Sequence, residues 1–306
     1  MTLQQLRVVC EIAARNFNAS KAAAAIHASQ PAVSKMLHAL EDELGAEIFI
    51  RKKGRLTGLT EFGENVHLLS RRMLHDARNM IDMGADWANQ DSGRLCIGAN
   101  HLLARYAVLG AVKSFSQAYP SIDVEITQLN PPSVVEYVAK GLVQFGVSTL
   151  PNDMSDDVLV FPAHNIERCV IAPLGHPLAK RKKVSLDDLV KYPIVGDRDF
   201  AWGPGVQDQF RRKGIQPKTA LRSSSSDLVK AAVSAGLGIA IVQRMAIDRK
   251  VDEGLVMIDA RHLFPASQAY IILRRGEYLR KFAYDCIARI APRWTEKAIK
   301  NSITSR

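Results

Sequence analysis

Asn18 to Phe49 reads NASKAAAAIHASQPAVSKMLHALEDELGAEIF, and this stretch decides how the N-terminal part of the chain folds. Ser20 is placed to cap a short alanine-rich helix, His27 and Ala28 to form a turn, and Ser29 to cap a second helix. Pro31 falls in the first turn of that second helix, where a missing N–H costs nothing. The small side chains of Ala22 to Ala25 let the two helices cross closely. Gln30, Ser34 and Lys35 start the second helix with side chains that reach base edges and phosphates. A helix-turn-helix puts this N-terminal end into the major groove of double-stranded DNA. Helical hairpins of such composition also occur in protein cores, so the residues that follow weigh heavily. They read RKKGRLTGLT, 51–60, with Arg51, Lys52, Lys53 and Arg55 flanking Gly54. A hairpin with that positive tip suits the DNA backbone or minor groove beside a reading helix, and the pattern predicts a winged helix-turn-helix.

Working outward, Leu3, Leu6, Cys10 and Ala13 form the apolar stripe of a helix ahead of this stretch. Beyond it, Thr60 is a candidate N-cap for a long helix. Along that helix Phe62, Val66, Leu69, Met73, Asp76, Met80, Met83 and Trp87 recur four and three residues apart. So narrow a seam suits a partner helix better than a broad core, and Asp76 is the kind of polar residue that sets register. The expectation is a dimer through Phe62, Val66, Leu69, Met73, Met80, Met83 and Trp87, its two heads addressing a palindromic site.

At 306 residues the chain suggests two or three folded units, and its 47% hydrophobic and 24% charged content is that of a globular protein. The net charge of +10 says little about where a polyanion binds, because residues 1–90 hold 11 basic and 10 acidic side chains. Arg7 and Glu11 interrupt what a signal peptide would need, and no apolar run reaches membrane-spanning length, which predicts a cytoplasmic protein without a membrane partner. Cys10, Cys96, Cys169 and Cys286 form no CxxC pair, so no metal, cofactor or disulfide framework is expected.

After Gly93, strand-like runs (Leu95–Ala99, Val124–Thr127, Phe145–Ser148, Val170–Ala172, Ile239–Val242, Tyr270–Leu273) alternate with helical ones such as Val134–Lys140 and Leu228–Ala235. This is α/β order. Ligands of open α/β sheets sit beyond the carboxyl ends of strands, near helix N-termini whose N–H groups and hydroxyls favour an anion. That rule nominates Asn100, His101, Leu102 and Leu103, then Pro131 and Ser133, then Thr149. Further along it nominates Trp202 within 196–205, the run Ser224, Ser225 and Ser226, and Gln243.

The string Ser29-Gln30-Pro31-Ala32-Val33-Ser34-Lys35, followed by Leu40-Glu41-Asp42-Glu43-Leu44-Gly45 and Leu59-Thr60, resembles the N-terminal domain of LysR-type transcriptional regulators. His101 with Ala104-Arg105-Tyr106, Gly236-Leu237-Gly238, Leu263-Phe264 and Arg274-Arg275 are similar to the CysB-like branch of sulfur and cysteine regulators. The resemblance implies a winged helix-turn-helix over 1–59 and a linker and dimerisation helix over 60–90. It further implies an effector domain over 91–306, built like a periplasmic binding protein, with lobe I at about 91–162 plus 267–306 and lobe II at about 163–266. It implies a homo-oligomer, usually a dimer of dimers and so a homotetramer, with RNA polymerase as a further partner. In CysB-like proteins the loop after the first lobe I strand is rich in threonine and glutamine and holds sulfate, but here it reads Ala99-Asn100-His101-Leu102-Leu103. The expected effector therefore has an anionic head on Thr149 and Ser224–Ser226, with no formal cation buried beside it, and an apolar body against Leu102 and Trp202. Sulfur assimilation or organosulfur use is the implied pathway, with an organic or aromatic acid as the alternative effector.

An enzyme or a transported-solute binding protein could share the two-lobed fold. No triad order, nucleophile elbow, phosphate loop or complete dinucleotide fingerprint is visible, and a transported-solute binding protein would carry an export signal and would not need residues 1–90. The expectation is a regulator that is not an enzyme.

Overall fold

A computed structural model describes residues 1–88, 92–151, 154–196, 203–223, 225–248 and 250–304. The chain divides into two compact units, Met1–Gln90 with Tyr278–Arg280, and Asp91–Glu277 with Lys281–Arg306.

The first unit runs α1 (Leu3–Ala14), α2 (Ala19–Ala25), α3 (Gln30–Leu44), β1 (Phe49–Lys52), β2 (Arg55–Leu59) and α4 (Glu61–Trp87). Its core gathers Leu6, Val9, Ile12, Ala22, Val33, Leu37, Leu40, Ile48 and Phe49. The expected α1 stripe is rotated: Leu6, Val8, Val9 and Ile12 are buried, while Leu3 is exposed and Cys10 half-buried. Helix α1 packs against α2, α3 and α4 together, so it buries more than one narrow face. Asn18, not Ser20, caps α2; its side chain accepts from Lys21 N at 2.9 Å, which places Ser20 inside the first turn. Ser29 does cap α3, accepting from Ala32 N, and Gly45 closes that helix in the left-handed region. Between them His27 takes φ 54°, and Ala28 N reaches back to Ala23 O at 2.9 Å to satisfy a carbonyl at the end of α2.

Strands β1 and β2 pair antiparallel with Lys52 opposite Arg55, leaving Lys53 and Gly54 as the loop at φ 48° and 75°. Two consecutive positive φ values make the turn whose twist suits a tight hairpin. Thr60 caps α4, accepting from Gly63 N at 2.8 Å while donating to Glu47 O. Later on α4, Asp86 accepts from Arg280 Nε and Tyr278 Oη, each at 3.0 Å.

The second unit holds β3 (Gly93–Ala99), α5 (His101–Leu103), a π-helical turn (Ala104–Val108), α6 (Leu109–Ala118), β4 (Ile122–Gln128), α7 (Pro131–Ala139), β5 (Phe145–Ser148), β6 (Val158–Ile166) and β7 (Arg168–Pro173). It continues with α8 (Leu186–Leu189), β8 (Ile194–Val195), α9 (Gly203–Arg212), β9 (Thr219–Leu221), α10 (Ser226–Ser234), β10 (Ala240–Gln243), β11 (Leu255–Asp259), β12 (Ser267–Arg274), α11 (Lys281–Ile290) and α12 (Glu296–Thr304). Among the described residues one sheet has the order β4-β3-β5-β12-β6, with β3, β4 and β5 parallel and β12 antiparallel to its neighbours. A second sheet, β10-β7-β11, is antiparallel, and β8 pairs with β9 beside it. The chain passes from the first sheet to the second between β6 and β7 and returns between β11 and β12. No helix among the described residues is long and apolar enough to cross a membrane.

Candidate functional site

In the first unit, the exposed start of α3 and the β1–β2 hairpin enclose a concavity of about 560 Å³ lined by Ser20, Gln30, Ser34, Arg51 and Arg55. Gln30, Pro31 and Lys35 are exposed and Ser34 half-buried; Lys52, Lys53 and Arg55 stand exposed on the hairpin. Ser29, Pro31, Lys35, Lys52 and Lys53 lie outside the concavity's lining. Burial of Val33, Leu37 and Leu40 on the opposite face of α3 is what turns Gln30 and Ser34 outward.

Arg51, nominated for the DNA backbone, also pairs within the head. Its Nη2 lies 2.7 Å from Oε2 of Glu41, which is only 6% exposed and whose Oε1 accepts from Ile48 N at 2.9 Å and Phe49 N at 3.4 Å. A carboxylate buried to receive two backbone N–H groups needs a cation beside it, and Arg51 supplies it. The pair ties the hairpin to α3.

Along α4 Phe62, Leu69, Met73, Met80, Met83 and Trp87 are exposed, Met80 at 73% and Trp87 at 91%, and Asp76 is exposed among them. Val66 departs from this set, being half-buried against the unit's own core together with Leu74. It borders the face that buries Gly63 and Ser70.

In the second unit, a cleft of about 600 Å³ is lined by residues of both sheets' loops and strands. It includes Asn100, His101, Leu102, Pro131, Thr149, Ser226 and Gln243 from the nominated set. Leu103 points into the core and is fully buried, while Ser133 and Ser225 do not line the cleft. Trp202 and Ser224 lie outside the described residues.

The helix starts offer fewer donors than their position suggested. Asn100 Oδ1 accepts from Leu103 N and Asn130 Oδ1 from Ser133 N, both at 2.9 Å, and Ser225 Oγ accepts from Leu228 N at 3.4 Å. Side-chain caps already occupy a donor at each start.

Charge comes instead from Arg168, which the sequence reading did not nominate. It is 6% exposed, opens β7, and donates to Ser267 Oγ at 3.2 Å, so a formal cation is buried beside the cleft after all. Burial pulls its pKa below the ordinary arginine value. Among the described lining residues there is no carboxylate. Gln128, Ser267, Gln268 and Tyr270 were missed as well. The signal available was an arginine standing directly before the apolar run Cys169–Ala172.

Beside the cleft the sheets are joined by ion pairing of Arg105 with Asp227 and by Lys230 Nζ, 3.3 Å from Tyr106 Oη. Lys230 is buried, 3.2 Å from Asp252 Oδ2. Desolvation lowers its pKa, but the bonds to Tyr106 and Asp252 outweigh this and leave it raised. Burial also pushes the Cys10 thiol up to about 11 and those of Cys169 and Cys286 to about 12, which favours the protonated thiol. Among the described residues no three His, Cys, Asp or Glu side chains are grouped as a metal site would need.

Residues 3–64 match the bacterial regulatory helix-turn-helix proteins of the lysR family, and residues 88–294 match the LysR substrate binding domain. The HTH-type transcriptional regulator SsuR of Burkholderia cenocepacia is 38% identical over 300 residues, 98% of this chain and 97% of that protein. The HTH-type transcriptional regulator CysB of the same organism is 34% identical over 99% of this chain and 97% of its own length. The crystal structure of the cofactor-binding domain of the Cbl transcriptional regulator superposes with a TM-score of 0.65 at 25% identity, covering 71% of this chain and 96% of that one. Spanning both units as they do, these matches establish that the chain belongs to the LysR family of DNA-binding transcriptional regulators and is not an enzyme.

Proposed function

We propose that Gln30, Ser34 and Lys35 read an operator in the major groove while Lys52, Lys53 and Arg55 of the hairpin hold its backbone. The observation that carries this is the exposed polar start of α3 beside a cationic hairpin, with Gln30, Ser34 and Arg55 lining one concavity. Two such heads joined through the exposed apolar stripe of α4 address a palindromic site. The cleft takes an anionic effector. Its volume is that of sites for drug-sized ligands, far above the needs of a four-oxygen ion, and Leu102, Leu129, Leu150 and Ile166 offer an apolar wall. An organic anion therefore fits better than bare sulfate. The likeness to CysB and SsuR supports a place in sulfur assimilation or organosulfur use, in the cytoplasm.

The test is anisotropy titration on an operator selected by the wild type from random DNA. Gln30→Ala should cost about 1–3 kcal/mol on that operator and little on unrelated DNA. Lys53→Ala should weaken both and reduce the salt slope by about 1. Unchanged operator affinity in Gln30→Ala overturns the assignment.

A further inference from the structure

Of the nominated hydroxyls Thr149 and Ser226 line the cleft, yet the side chain best built to hold an oxyanion is another. Arg168 opens β7 immediately after the chain leaves β6, and Ser267, to which it donates, opens β12 where the chain returns. Gln243, which also lines the cleft, sits directly opposite Arg168 in the pairing of β10 with β7. The intervening Glu167 O accepts from Arg244 N at 2.8 Å, so the outward crossing is stitched to the end of β10. Arg168, Ser267 and Gln243 thus meet where both crossings meet. A guanidinium presents a planar fork of donors that suits the oxygens of a carboxylate or sulfonate, and partial burial strengthens that bond. Apolar side chains, Leu102, Leu129 and Leu150, line the same cleft.

We infer that Arg168, supported by Ser267 and Gln243, is the seat of the effector's oxyanion head, and that the effector is an organic sulfonate or carboxylate whose apolar body lies on the leucines. This rests on the reading of the cleft as an anionic-effector site and moves the head from Thr149 and Ser226 to the crossings. The location also accounts for signalling. Element-terminal residues at a crossing absorb the backbone change when lobes rearrange, so a ligand held there binds the two arrangements unequally.

Calorimetry on the full chain tests this with four probes: hexanesulfonate, hexanoate, inorganic sulfate and the uncharged hexanesulfonamide. Wild type should bind hexanesulfonate or hexanoate at least about tenfold more tightly than the sulfonamide or sulfate, and which of the two wins names the head group. Arg168→Gln should lower the affinity for the preferred anion at least about tenfold, Arg168→Lys less, and Ser267→Ala about threefold, while sulfonamide binding stays put. Thr149→Ala and Ser226→Ala should remain within about threefold of wild type. If Arg168→Gln does not fold, Arg168→Lys and Ser267→Ala carry the comparison, since both keep the strand start polar. Anion binding that survives the Arg168 and Ser267 changes but is lost in Thr149→Ala or Ser226→Ala overturns the seat and leaves the anionic reading standing. Equal binding of sulfonamide and sulfonate by the wild type, or binding of none of the probes, overturns the anionic reading itself.

Discussion

In the head, Gln30, Ser34, Arg51 and Arg55 come from one unbroken stretch of chain and reach the same concavity through a turn and a hairpin. In the cleft, Asn100, Thr149, Arg168, Gln243 and Tyr270 come from five separate strands and loops, brought together by strand pairing within each sheet and by the two crossings between the sheets. Local order makes the head compact enough that the residues proposed to read DNA are close chain neighbours of those that hold the fold. Function and stability are therefore entangled in the head, whereas in the cleft a loop residue such as Thr149 can change without unbuilding a strand.

Gly63 offers the sharpest test of that entanglement. A Cβ built there would lie 1.9 Å from Ile48 O, the carbonyl that also accepts from Thr60 N at 3.0 Å at the base of the hairpin. Alanine at an unhindered helical position would gain about 1 kcal/mol over glycine. Here the clash with backbone decides the sign, and Gly63→Ala should cost about 4 kcal/mol, the severe end for a single change. Denaturant unfolding of the full chain followed with operator titration checks it; stability within about 1 kcal/mol of wild type would mean that α4 is free to move off the hairpin.

The same contrast governs what could be read from the sequence. The caps, the Pro31 position and the cationic hairpin were legible because each is a short-range pattern with a local physical cause. The start of α2 was misassigned by two residues, since Asn18 and Ser20 are equally good caps and only the backbone decides between them. The ion pair of Arg51 was not legible because its partner, Glu41, lies in the preceding helix, and nothing in the charge run separates a residue held by a carboxylate from those that stand free of one. In the second unit the strands of apolar runs were visible, but β6, β8, β9 and β11 were not among the expected runs. Arg168 was invisible as a cleft residue because its neighbours Ser267 and Gln243 are set by strand pairing over long separations.

Helix α4 belongs to both regimes. Its period was legible, yet Val66 serves the head's own core while Leu69 and Met73 remain exposed. Lysine at Leu69 and Met73 together should therefore spare folding but abolish pairing of the heads. Losing the second head removes the gain of bivalent binding, and affinity for a palindromic operator should fall about a hundredfold, with affinity for a half-site unchanged. Sedimentation and titration on both DNAs check this. A stable oligomer with tight operator binding would show that other surfaces hold the heads together.

The smallest of the three effects falls on Arg51, and it separates a positioning role from a phosphate contact. Arg51→Ala leaves Glu41 buried with two backbone donors but without its cation. A fully buried pair broken this way costs about 3–5 kcal/mol; Arg51 is 29% exposed, so water reaches the carboxylate's vicinity and about 2 kcal/mol is expected. The loss should be recovered in part by Glu41→Gln in the same chain, because a neutral amide oxygen still accepts from Ile48 N and no longer needs a countercharge. Operator affinity should fall only as far as the hairpin loosens, and the salt slope should stay that of the wild type, unlike the loss of about 1 expected when Lys53 is removed. A salt slope reduced in Arg51→Ala with no change in unfolding free energy would restore Arg51 to the backbone-contacting set and show that even this inward-facing residue of the hairpin swings out to DNA.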